Sequence, residues 1–398
     1  MSERTAIVIA GAGPVGLFTA CQLVAAGQPV IVLEKQPTLS EDMRASTFHP
    51  ATLDLLDEHD LSAALLAQGT RARQWQYWIH GTDDRAVYDL SVIGDLTAHP
   101  YRLQCEQFRL TRLIAERLAD HPLFELHFAT AVEAVVDDGD GVQVTARGPD
   151  GARQFSTPWL IAADGGRSSV RKLLALPFEG SVFPKTSITL VLDHPFQNDV
   201  PGLLPVNYVW TDGAHYSLMQ LRELWRFTYS PKQDQSVEEA LSEPVAQAHL
   251  QAVFPRPSPY RILQANYYTL QERCLASFRV GRTLFAGDSA HLNSPAGGMG
   301  MNSGLHDARC LVEHLLPVLD GEPATRLDRY DRRRRTIARE EVQRLSARNY
   351  RRHRETDPGK RRAIWEEIKA TVADRQHMRE ALLESSMIAS RQRELAIA

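Results

Sequence analysis

The first 34 residues carry the hydrophobic pattern of a strand, a helix and a second strand. Two short apolar runs, Thr5–Ala10 and Pro29–Leu33, flank a glycine-rich turn and an apolar helical stretch over Leu17–Ala26. Apolar runs of this length are typical of buried strands, and short connections between such segments are typical of a βαβ unit. The pattern therefore predicts that the chain begins with a βαβ unit.

Beyond this unit the pattern changes several times. Leucines at helical spacing predict two short helices over His49–Ala67, and a further helical pattern covers Gln107–Leu118. From about residue 177 to 274, short β-like runs are separated by prolines, which predicts a mostly antiparallel sheet. A buried strand over Val280–Ala286 and a glycine cluster before a helix then return the chain to its first domain, and Arg- and Glu-rich helices follow Pro323.

Composition and charge narrow the classes of protein to which the chain can belong. It has 398 residues, of which 43% are hydrophobic and 24% are charged, and its formal net charge is −4. This composition excludes disorder, and the nearly balanced charge predicts no nucleic-acid partner. The longest apolar runs are far shorter than the roughly 20 residues that cross a bilayer, and the N-terminus lacks the pattern of a signal peptide. We therefore expect a cytoplasmic protein with no membrane contact.

Cysteine spacing and one arginine run add two further expectations. The four cysteines are scattered along the chain, with no CxxC pair and no pairing with histidine, which predicts reduced thiols and no metal site. The arginine run Arg332–Arg335 lies among acidic residues at helical spacing. This favours a solvated helix face or intramolecular ion pairs over a nucleic-acid patch.

Gly11, Gly13 and Gly16 form a G-x-G-x-x-G pattern between the first strand and its helix. The first glycine permits the tight turn, the second lets the backbone approach a pyrophosphate, and the third lets the helix pack closely on the strand. The helix N-terminus offers free N–H groups to phosphates. Glu34 ends the second strand, where its carboxylate would accept hydrogen bonds from ribose hydroxyls and repel a 2′-phosphate. This segment predicts an adenine dinucleotide site that favours FAD or NAD over NADP.

Two later segments extend the pattern. One runs from Ile161 through Asp164-Gly-Gly-Arg167 to Arg171, and the other runs from Gly281 through Gly287-Asp288-Ser-Ala-His291 to Asn302. With the glycine pattern and Glu34, these segments resemble the three ordered signatures of the single-component FAD-dependent aromatic hydroxylases, the group A flavoprotein monooxygenases of the para-hydroxybenzoate hydroxylase type. The resemblance covers roughly residues 5–310 and makes FAD the expected dinucleotide.

The second and third signatures imply roles for individual residues. Asp288, after Gly287, would hold the ribityl hydroxyls of the flavin. Asp164 would serve both the FAD pyrophosphate and the transient nicotinamide nucleotide. The third signature would place helix N–H groups at the N1–C2=O edge of the flavin, where reduced flavin develops negative charge; the matched positions are Pro295, Gly298, Gly300, Met301 and Asn302.

Two more positions match the family pattern, and a second nucleotide-binding glycine pattern is absent from the sequence. Arg44 matches an arginine that follows the second strand and contacts the flavin, and Gln107 matches a glutamine at a helix start that contacts FAD. The chain has no second G-x-G-x-x-G, so NADH or NADPH is expected to bind transiently as co-substrate. The absence of CxxC excludes a flavin–disulfide relay.

The substrate-binding groups are less clearly marked. A phenol is hydroxylated more readily as its phenolate, which a tyrosine or histidine can favour through a hydrogen bond. His49 lies close in sequence to Arg44, and Tyr216 lies on a strand-like segment of the middle lobe. We take His49 and Tyr216 as the candidate catalytic residues, while His291 is expected to fix its loop.

These observations predict an α/β fold: a Rossmann-like FAD-binding domain, an inserted, mainly antiparallel β-sheet substrate lobe and a helical C-terminal tail. The expected FAD-binding domain comprises residues 1–70, 100–176 and 276–320, the substrate lobe 71–99 and 177–275, and the C-terminal helices 321–398. The expected reaction is NAD(P)H- and O2-dependent hydroxylation of a small aromatic compound, a phenol or N-heteroaromatic acid, through a flavin C4a-hydroperoxide, in a monomer or homodimer.

Two alternatives stay open at this point. One keeps the fold and FAD but changes the reaction to epoxidation or reduction; halogenation is disfavoured because the segment Trp75–Ile79 does not match the Trp-x-Trp-x-Ile-Pro pattern. The other is a flavin-bearing sensor whose helical tail binds a partner. Substrate-stimulated NAD(P)H oxidation separates an enzyme from a sensor.

Overall fold

The structure is a computed structural model that describes residues 5–43, 45–183, 186–232 and 235–398, so the predicted cofactor contact of Arg44 lies outside the described residues. The strands are β1 (Ile7–Ala10), β2 (Val30–Leu33), β3 (Thr47–Phe48), β4 (Thr70–Ala72), β5 (Gln74–Ile79), β6 (Arg85–Asp89), β7 (Arg102–Gln104), β8 (Phe124–His127), β9 (Ala131–Asp137), β10 (Val142–Gly148), β11 (Gly151–Thr157), β12 (Leu160–Ala162), β13 (Glu179–Val182), β14 (Ser187–Leu192), β15 (Val206–Trp210), β16 (His215–Leu221), β17 (Leu224–Tyr229), β18 (Ile262–Tyr268), β19 (Gln271–Cys274), β20 (Arg279–Val280), β21 (Thr283–Phe285) and β22 (His291–Leu292).

The α-helices are α1 (Pro14–Ala25), α2 (Pro50–Asp57), α3 (Ser62–Leu66), α4 (Gln107–Leu118), α5 (Ser169–Leu173), α6 (Val237–Leu241), α7 (Glu243–Val253), α8 (Met299–Leu319), α9 (Leu327–Ile337), α10 (Arg344–Arg354), α11 (Pro358–Ala373), α12 (Arg375–Ser385) and α13 (Ile388–Ala396). Short 3-10 turns include Leu90–Ile93 and Gly287–Ser289, and a π-helical segment, Ala338–Gln343, joins α9 to α10. In the described residues, no helix has both the length and the apolar character needed to cross a membrane.

A six-stranded sheet carries the first and last parts of the predicted cofactor pattern. Its strand order is β20-β21-β12-β1-β2-β8, and every neighbouring pair is parallel except β20 and β21. All four residues of β1 are buried, as expected for a parallel strand covered on both faces. The predicted βαβ unit is confirmed as β1, α1 and β2. The buried strand expected over Val280–Ala286 is confirmed as β21, but it is shorter than expected, because Gly281 adopts a φ of 57° and turns the chain between β20 and β21.

A seven-stranded sheet with the order β18-β14-β17-β16-β15-β5-β6 forms the second main layer. All its neighbours are antiparallel except β5 and β15, which run parallel with Tyr77 opposite Tyr208. One face contributes Trp75, Tyr77 and Tyr208 to a core shared with helices α10 to α13. The other face contributes Tyr216 to a core shared with α6 and α7. The mainly antiparallel sheet predicted from the sequence is confirmed.

Candidate active site

The turn between β1 and α1 shows why each of its glycines is needed. Gly11 has a φ of 101°, and a Cβ atom there would lie 2.5 Å from the carbonyl oxygen of Ala163. A Cβ atom on Gly16 would lie 2.0 Å from the carbonyl oxygen of Gly11. Around Gly13, in contrast, no atom of a described residue outside its local backbone lies within 4 Å of the Cβ position, so this position faces open space. The turn therefore brings bare backbone to the edge of a cleft.

Glu34 lies across this cleft and is fixed by two backbone groups. Its Oε2 accepts a hydrogen bond from the N–H of Ala12 at 2.8 Å, and its Oε1 accepts one from the N–H of Gln36 at 2.9 Å. The cleft has an empty volume of about 610 Å³ and is lined by residues that include Gly11, Gly13, Glu34 and Asp164. The carboxylate is thus oriented by the backbone itself, and each oxygen keeps a lone pair for a ribose hydroxyl.

Asp164 gives the cleft an unpaired acceptor. Its Oδ2 caps α5 by accepting hydrogen bonds from the N–H groups of Ser169 and Val170, at 2.6 and 3.1 Å. Its Oδ1 is buried and has no partner among the described residues. Buried polar atoms are nearly always hydrogen-bonded, so an orphaned carboxylate oxygen in a cleft wall suits a ligand that donates to it. The residues present therefore fit a bound dinucleotide.

The turn at Gly287 and Asp288 is held from behind by a buried ionic network. Gly287 has a φ of 63°, and its N–H donates to Oδ2 of Asp307 at 2.9 Å. The same oxygen accepts from Nε2 of His291 at 2.8 Å, while Oδ1 accepts from Nε of Arg334 at 2.6 Å. The side chain of Asp288 is on the exposed side of this turn. The network fixes the backbone that presents Asp288.

Charge balance explains how Asp307 stays ionised in the core. Burial alone would raise its pKa, but the Arg334 guanidinium and His291 hold the pKa of Asp307 well below its usual range. Arg334 also donates to Oε2 of Glu394 in α13, at 2.7 Å. The intramolecular pairing expected for the arginine run is thus confirmed for Arg334. The alternative of a solvated face is wrong there, because this side chain is 1% exposed.

The segment from Pro295 to Asn302 begins helix α8. Gly297 and Gly298 have φ values of 98° and 68°, and Gly298 is the N-cap residue, with no side chain capping the helix within the described part of the chain. Gly300 lies beside Asp288, since a Cβ atom added to it would be 4.0 Å from Oδ1 of that residue. Met301 is buried in the core. An uncapped helix start leaves N–H groups for an acceptor on a ligand.

His49 and Asn302 hold this segment in place. Oδ1 of Asn302 accepts from the backbone N–H of His49 at 2.9 Å, and its Nδ2 donates to the carbonyl oxygen of Gly298 at 2.7 Å. Nε2 of His49 donates to the carbonyl oxygen of Gly297 at 2.8 Å. Burial and the nearby Arg102 lower the pKa of His49 to about 3, so the imidazole is neutral. Its contacts are with the backbone of the loop.

A second cavity lies on the α10–α13 side of the seven-stranded sheet. It has an empty volume of about 480 Å³, and Gly297 and Met299 at the start of α8 form part of its wall. The rest of the wall combines aromatic and cationic side chains with a few small or polar ones: Trp75, Tyr77, Tyr88, Arg102, Tyr208, Leu345, Arg348, Asn349, Arg352, His353, Ala381 and Ser385. The tryptophan and tyrosine rings of this wall suit contact with an aromatic ligand.

Two of the candidate residues lie away from this cavity. Tyr216 is on the opposite face of the sheet, where its hydroxyl pairs with Nδ1 of His80 at 2.9 Å and burial raises its pKa. Gln107 is half-buried at the first position of α4, and its N–H donates to the carbonyl oxygen of Ala45 at 3.0 Å. The structure therefore does not bring Tyr216 together with His49.

Most of the cavity wall was not singled out by sequence reasoning. Arg102, Trp75 and His353 come from three distant segments, and none lies in a glycine signature. The alternation in β5 and β15 is the signal that could have found part of the wall, because it puts Trp75, Tyr77 and Tyr208 on one face. The contribution of α10 and α12 follows only from tertiary packing.

Comparison with known proteins identifies the family. The model of the FAD-binding domain family matches residues 4–345. The chain is also 32% identical over 391 residues to para-nitrophenol 4-monooxygenase of Pseudomonas sp. strain WBC-3, covering 96% of each protein. The chain belongs to the group A FAD-dependent aromatic hydroxylases. FAD is its cofactor, and its activity is that of a flavoprotein monooxygenase acting on small aromatic compounds.

Two further similarities extend along nearly the whole hydroxylase chain. 6-Hydroxy-3-succinoylpyridine 3-monooxygenase of Pseudomonas putida strain DSM 28022 / S16 is 28% identical over 387 residues, with 96% of this chain and 98% of that protein covered. The crystal structure of p-nitrophenol 4-monooxygenase from Pseudomonas putida DLL-E4 superposes with a TM-score of 0.91 at 30% identity, covering 96% of this chain and 98% of that one. The fold is therefore shared from end to end with this enzyme.

Proposed function

We propose that this protein hydroxylates a single-ring phenol or hydroxypyridine, using NADH or NADPH and O2. In the balanced reaction one oxygen atom enters a ring C–H bond, the other leaves as water, and the nicotinamide supplies two electrons. The observation that carries the proposal is the shared wall: Gly297 and Met299 line the aromatic cavity at the uncapped start of α8. The relatives named for para-nitrophenol and a hydroxysuccinoylpyridine support the size and class of the ring.

The cofactor contacts follow the geometry of the two glycine regions. We assign Gly11, Gly13 and Gly16 to the pyrophosphate turn and Glu34 to the ribose. We keep Asp164 beside the pyrophosphate on the strength of the family pattern, with its unpaired Oδ1 accepting from a hydroxyl or water rather than facing a phosphate oxygen. We assign the ribityl chain to Asp288, positioned by Gly287, and the flavin ring to the backbone at the start of α8, which involves Pro295, Gly298, Gly300, Met301 and Asn302. We keep Gln107 and Arg44 as contacts on the strength of their positions in the family pattern.

FAD held by these residues would supply the hydride acceptor for the nicotinamide and the activation of O2. The chain's own contribution is to bind the ring, orient it and exclude water. Trp75, Tyr77 and Tyr88 are all at most 6% exposed, so these side chains shield their part of the cavity from bulk solvent. Shielding from water limits the loss of activated oxygen as peroxide. The neutral His49 holds the α8 loop; we retain it as a catalytic-site residue in that positioning sense.

The proposal also covers the organisation and setting of the enzyme. We propose that residues 1–70, 100–176 and 276–320 bind FAD, that residues 71–99 and 177–275 bind the ring, and that 321–398 close the cavity. The four cysteines are free and buried, which supports a reducing, cytoplasmic setting. We propose a monomer or homodimer with no nucleic-acid partner.

The test is turnover by the purified holoenzyme. NADH and NADPH oxidation, product formation and peroxide release are measured with a panel of phenols and hydroxypyridines, with 4-nitrophenol as the first probe. We expect at least one compound to accelerate oxidation and to yield hydroxylated product in proportion to the nicotinamide consumed. Ligand binding without accelerated oxidation would favour a sensor, and a reduced or epoxidised product would favour the other reactions on this fold.

A further inference from the structure

Arg102, the first residue of β7, is a buried cation in the wall of the aromatic cavity. Its side chain is 3% exposed, and its Nε has no hydrogen-bond partner within the described ranges of the chain. Its guanidinium carbon lies 4.5 Å from the centre of the Trp75 ring, and the nearby hydroxyl of Tyr208 favours its charged form and so opposes the lowering of its pKa by burial. Trp75 is in turn stacked on Tyr88 at 4.0 Å. Aromatic groups therefore fix the orientation of the guanidinium.

The other cations of the cavity are neutralised, whereas Arg102 is not. Arg348 pairs with Glu384 at 2.8 Å, and Arg352 pairs with Glu367 at 2.6 Å. Across residues 5–43, 45–183, 186–232 and 235–398, no carboxylate forms an ion pair with Arg102. Burial lowers its pKa, and the groups that favour its charged form are tyrosine hydroxyls. His353, which burial keeps neutral with a pKa of about 3, does not add charge of either sign near neutral pH.

An uncompensated cation in a desolvated cavity is unfavourable unless an anion joins it. A guanidinium stacked on an aromatic ring keeps the N–H groups along its edge free for oxygen acceptors in its own plane. We propose that Arg102 is the specificity-determining residue of the cavity, binding the negatively charged oxygen of an aromatic anion, a phenolate or a ring carboxylate. This inference rests on the proposed function, since it names the charge state of the substrate at the same site.

Matched pairs of anionic and neutral ligands test the charge preference directly. Dissociation constants of benzoate and benzamide, and of phenylacetate and phenylacetamide, are measured on the FAD-loaded enzyme from the perturbation of the flavin spectrum. The 4-nitrophenol affinity is measured across the pH range in which this phenol ionises, which separates the phenolate from the carboxylate. For the wild type we expect the anion of the preferred class to bind about tenfold more tightly, or better, than its neutral counterpart.

The variants are chosen so that the preference ratio within each protein is the readout. Arg102→Met should bring the ratio close to one, whereas Arg102→Lys, which keeps the charge, should retain part of it. Arg85→Met is the matched control, because Arg85 also lies 4.5 Å from a tryptophan ring, that of Trp78, but on the other face of the sheet. We expect the wild-type ratio in this control. Flavin content and melting temperature show whether each variant is folded.

Two results would overturn the inference. One is a wild-type enzyme that shows no anion preference for carboxylates or for 4-nitrophenolate, and the other is an Arg102→Met enzyme that keeps the wild-type ratio. Neither result touches the proposed hydroxylation if substrate-stimulated NAD(P)H oxidation and product formation persist. Failure of turnover with every compound, together with an intact anion preference, would instead remove the proposed function and leave the anion site standing.

Discussion

Single side chains in this enzyme hold the backbone around the cleft between β1, α1 and β2. Glu34 illustrates this, because each of its oxygens already accepts one backbone N–H group across the β1–α1 turn and the end of β2. Replacing Glu34 therefore removes a support of the turn together with the ribose contact that we propose for it. An isosteric change separates the charge from the shape.

For Glu34→Gln we expect weaker FAD binding, since the amide keeps the size of the side chain but loses the charged acceptor and places a donor against one backbone N–H group. A hydrogen bond to a charged group contributes about 1.5–3 kcal/mol, which corresponds to a rise of roughly 10- to 100-fold in the FAD dissociation constant. Titration of the apoprotein with FAD measures it. Glu125→Gln, an exposed carboxylate change on the neighbouring strand β8, is the control. Equal affinity in the two variants would contradict the assigned role.

Three buried histidines predict how stability depends on pH. Burial lowers the pKa of His49 and His353 to about 3 and that of His306 to about 4. Because these residues stay neutral in the folded protein, the unfolded chain takes up protons first as the pH falls below about 6.5. The free energy of unfolding should therefore fall from pH 6.5 towards pH 4, by on the order of 1 kcal/mol per pH unit for each histidine.

Urea unfolding of the holoenzyme at pH 7.5, 6.5 and 5.5 measures this slope. In the His306→Gln variant the free energy of unfolding should depend less steeply on pH than in the wild type, by the contribution of one histidine. His377→Gln, at an exposed position on α12, should leave the slope as it is. A wild-type slope in His306→Gln would show that another group takes up the protons.

At the scale of elements, the loop that begins α8 is shaped by backbone conformations that ordinary residues avoid. Gly298 has a φ of 68°, and a Cβ atom there would lie 3.1 Å from Cβ of Thr47 and 3.6 Å from Nε2 of His49. The hydrogen bonds of His49 and Asn302 reach the same short segment. Any displacement of this segment moves part of the wall of the aromatic cavity, which on our proposal also borders the flavin ring.

Gly298→Ala should therefore impair activity as well as strain the backbone at this position. We expect lower flavin retention and a larger share of NAD(P)H oxidation that ends in peroxide, with a fall of about tenfold or more in the rate of coupled hydroxylation. Gly139→Ala is the matched control, since Gly139 also has a positive φ, 90°, but no atom lies within 4 Å of its Cβ position. Assays of product and peroxide measure, for both variants, the share of NAD(P)H oxidation that yields hydroxylated product. An equal share in Gly298→Ala and Gly139→Ala would argue against a wall shared by the flavin and the substrate.

Contiguous sequence signals predicted elements well, whereas the direction of side chains was harder to infer. The glycine pattern, Glu34 and Asp164 each lie in a short segment whose local geometry depends on neighbouring residues in the sequence. All three segments line the same cleft. Tyr216 was expected near the substrate, but a strand has a period of two, so an odd offset in register puts a side chain on the other face. Tyr208, on the neighbouring strand, faces the cavity instead.

At the scale of the whole molecule, the C-terminal helices complete the site. Helices α10 and α12 supply cavity residues, and α13 reaches the cofactor side through Glu394 and Arg334. No sequence pattern predicted these contacts of α10, α12 and α13. They join segments that are far apart in the chain, and they depend on how the helices pack. The resemblance to the family covered these helices only in character.

Glu394→Ala should destabilise the protein strongly. It leaves the buried Arg334 with one carboxylate instead of two, and breaking a buried ion pair costs about 3–5 kcal/mol. Since Arg334 and Gly287 share Asp307, flavin retention should fall as well. Urea unfolding and flavin content measure the two effects. Asp95→Asn breaks an exposed pair to Arg379 on α12 and should change little. A Glu394 variant that behaves like this control would rule out a stabilising role of the Arg334–Glu394 ion pair.

The strand order of the six-stranded sheet also determines when each strand can find its partner during translation. Val8 in β1 pairs with Leu160 in β12, and Leu160 pairs with Thr283 in β21. During translation, the edge of β1 stays open until β12 has left the ribosome, and the edge of β12 stays open until β21 follows. Open apolar edges recruit other chains, so slower synthesis at low temperature or added chaperone should raise the yield of folded enzyme. Chains released before Phe285 would keep an unpaired parallel edge and be prone to aggregate.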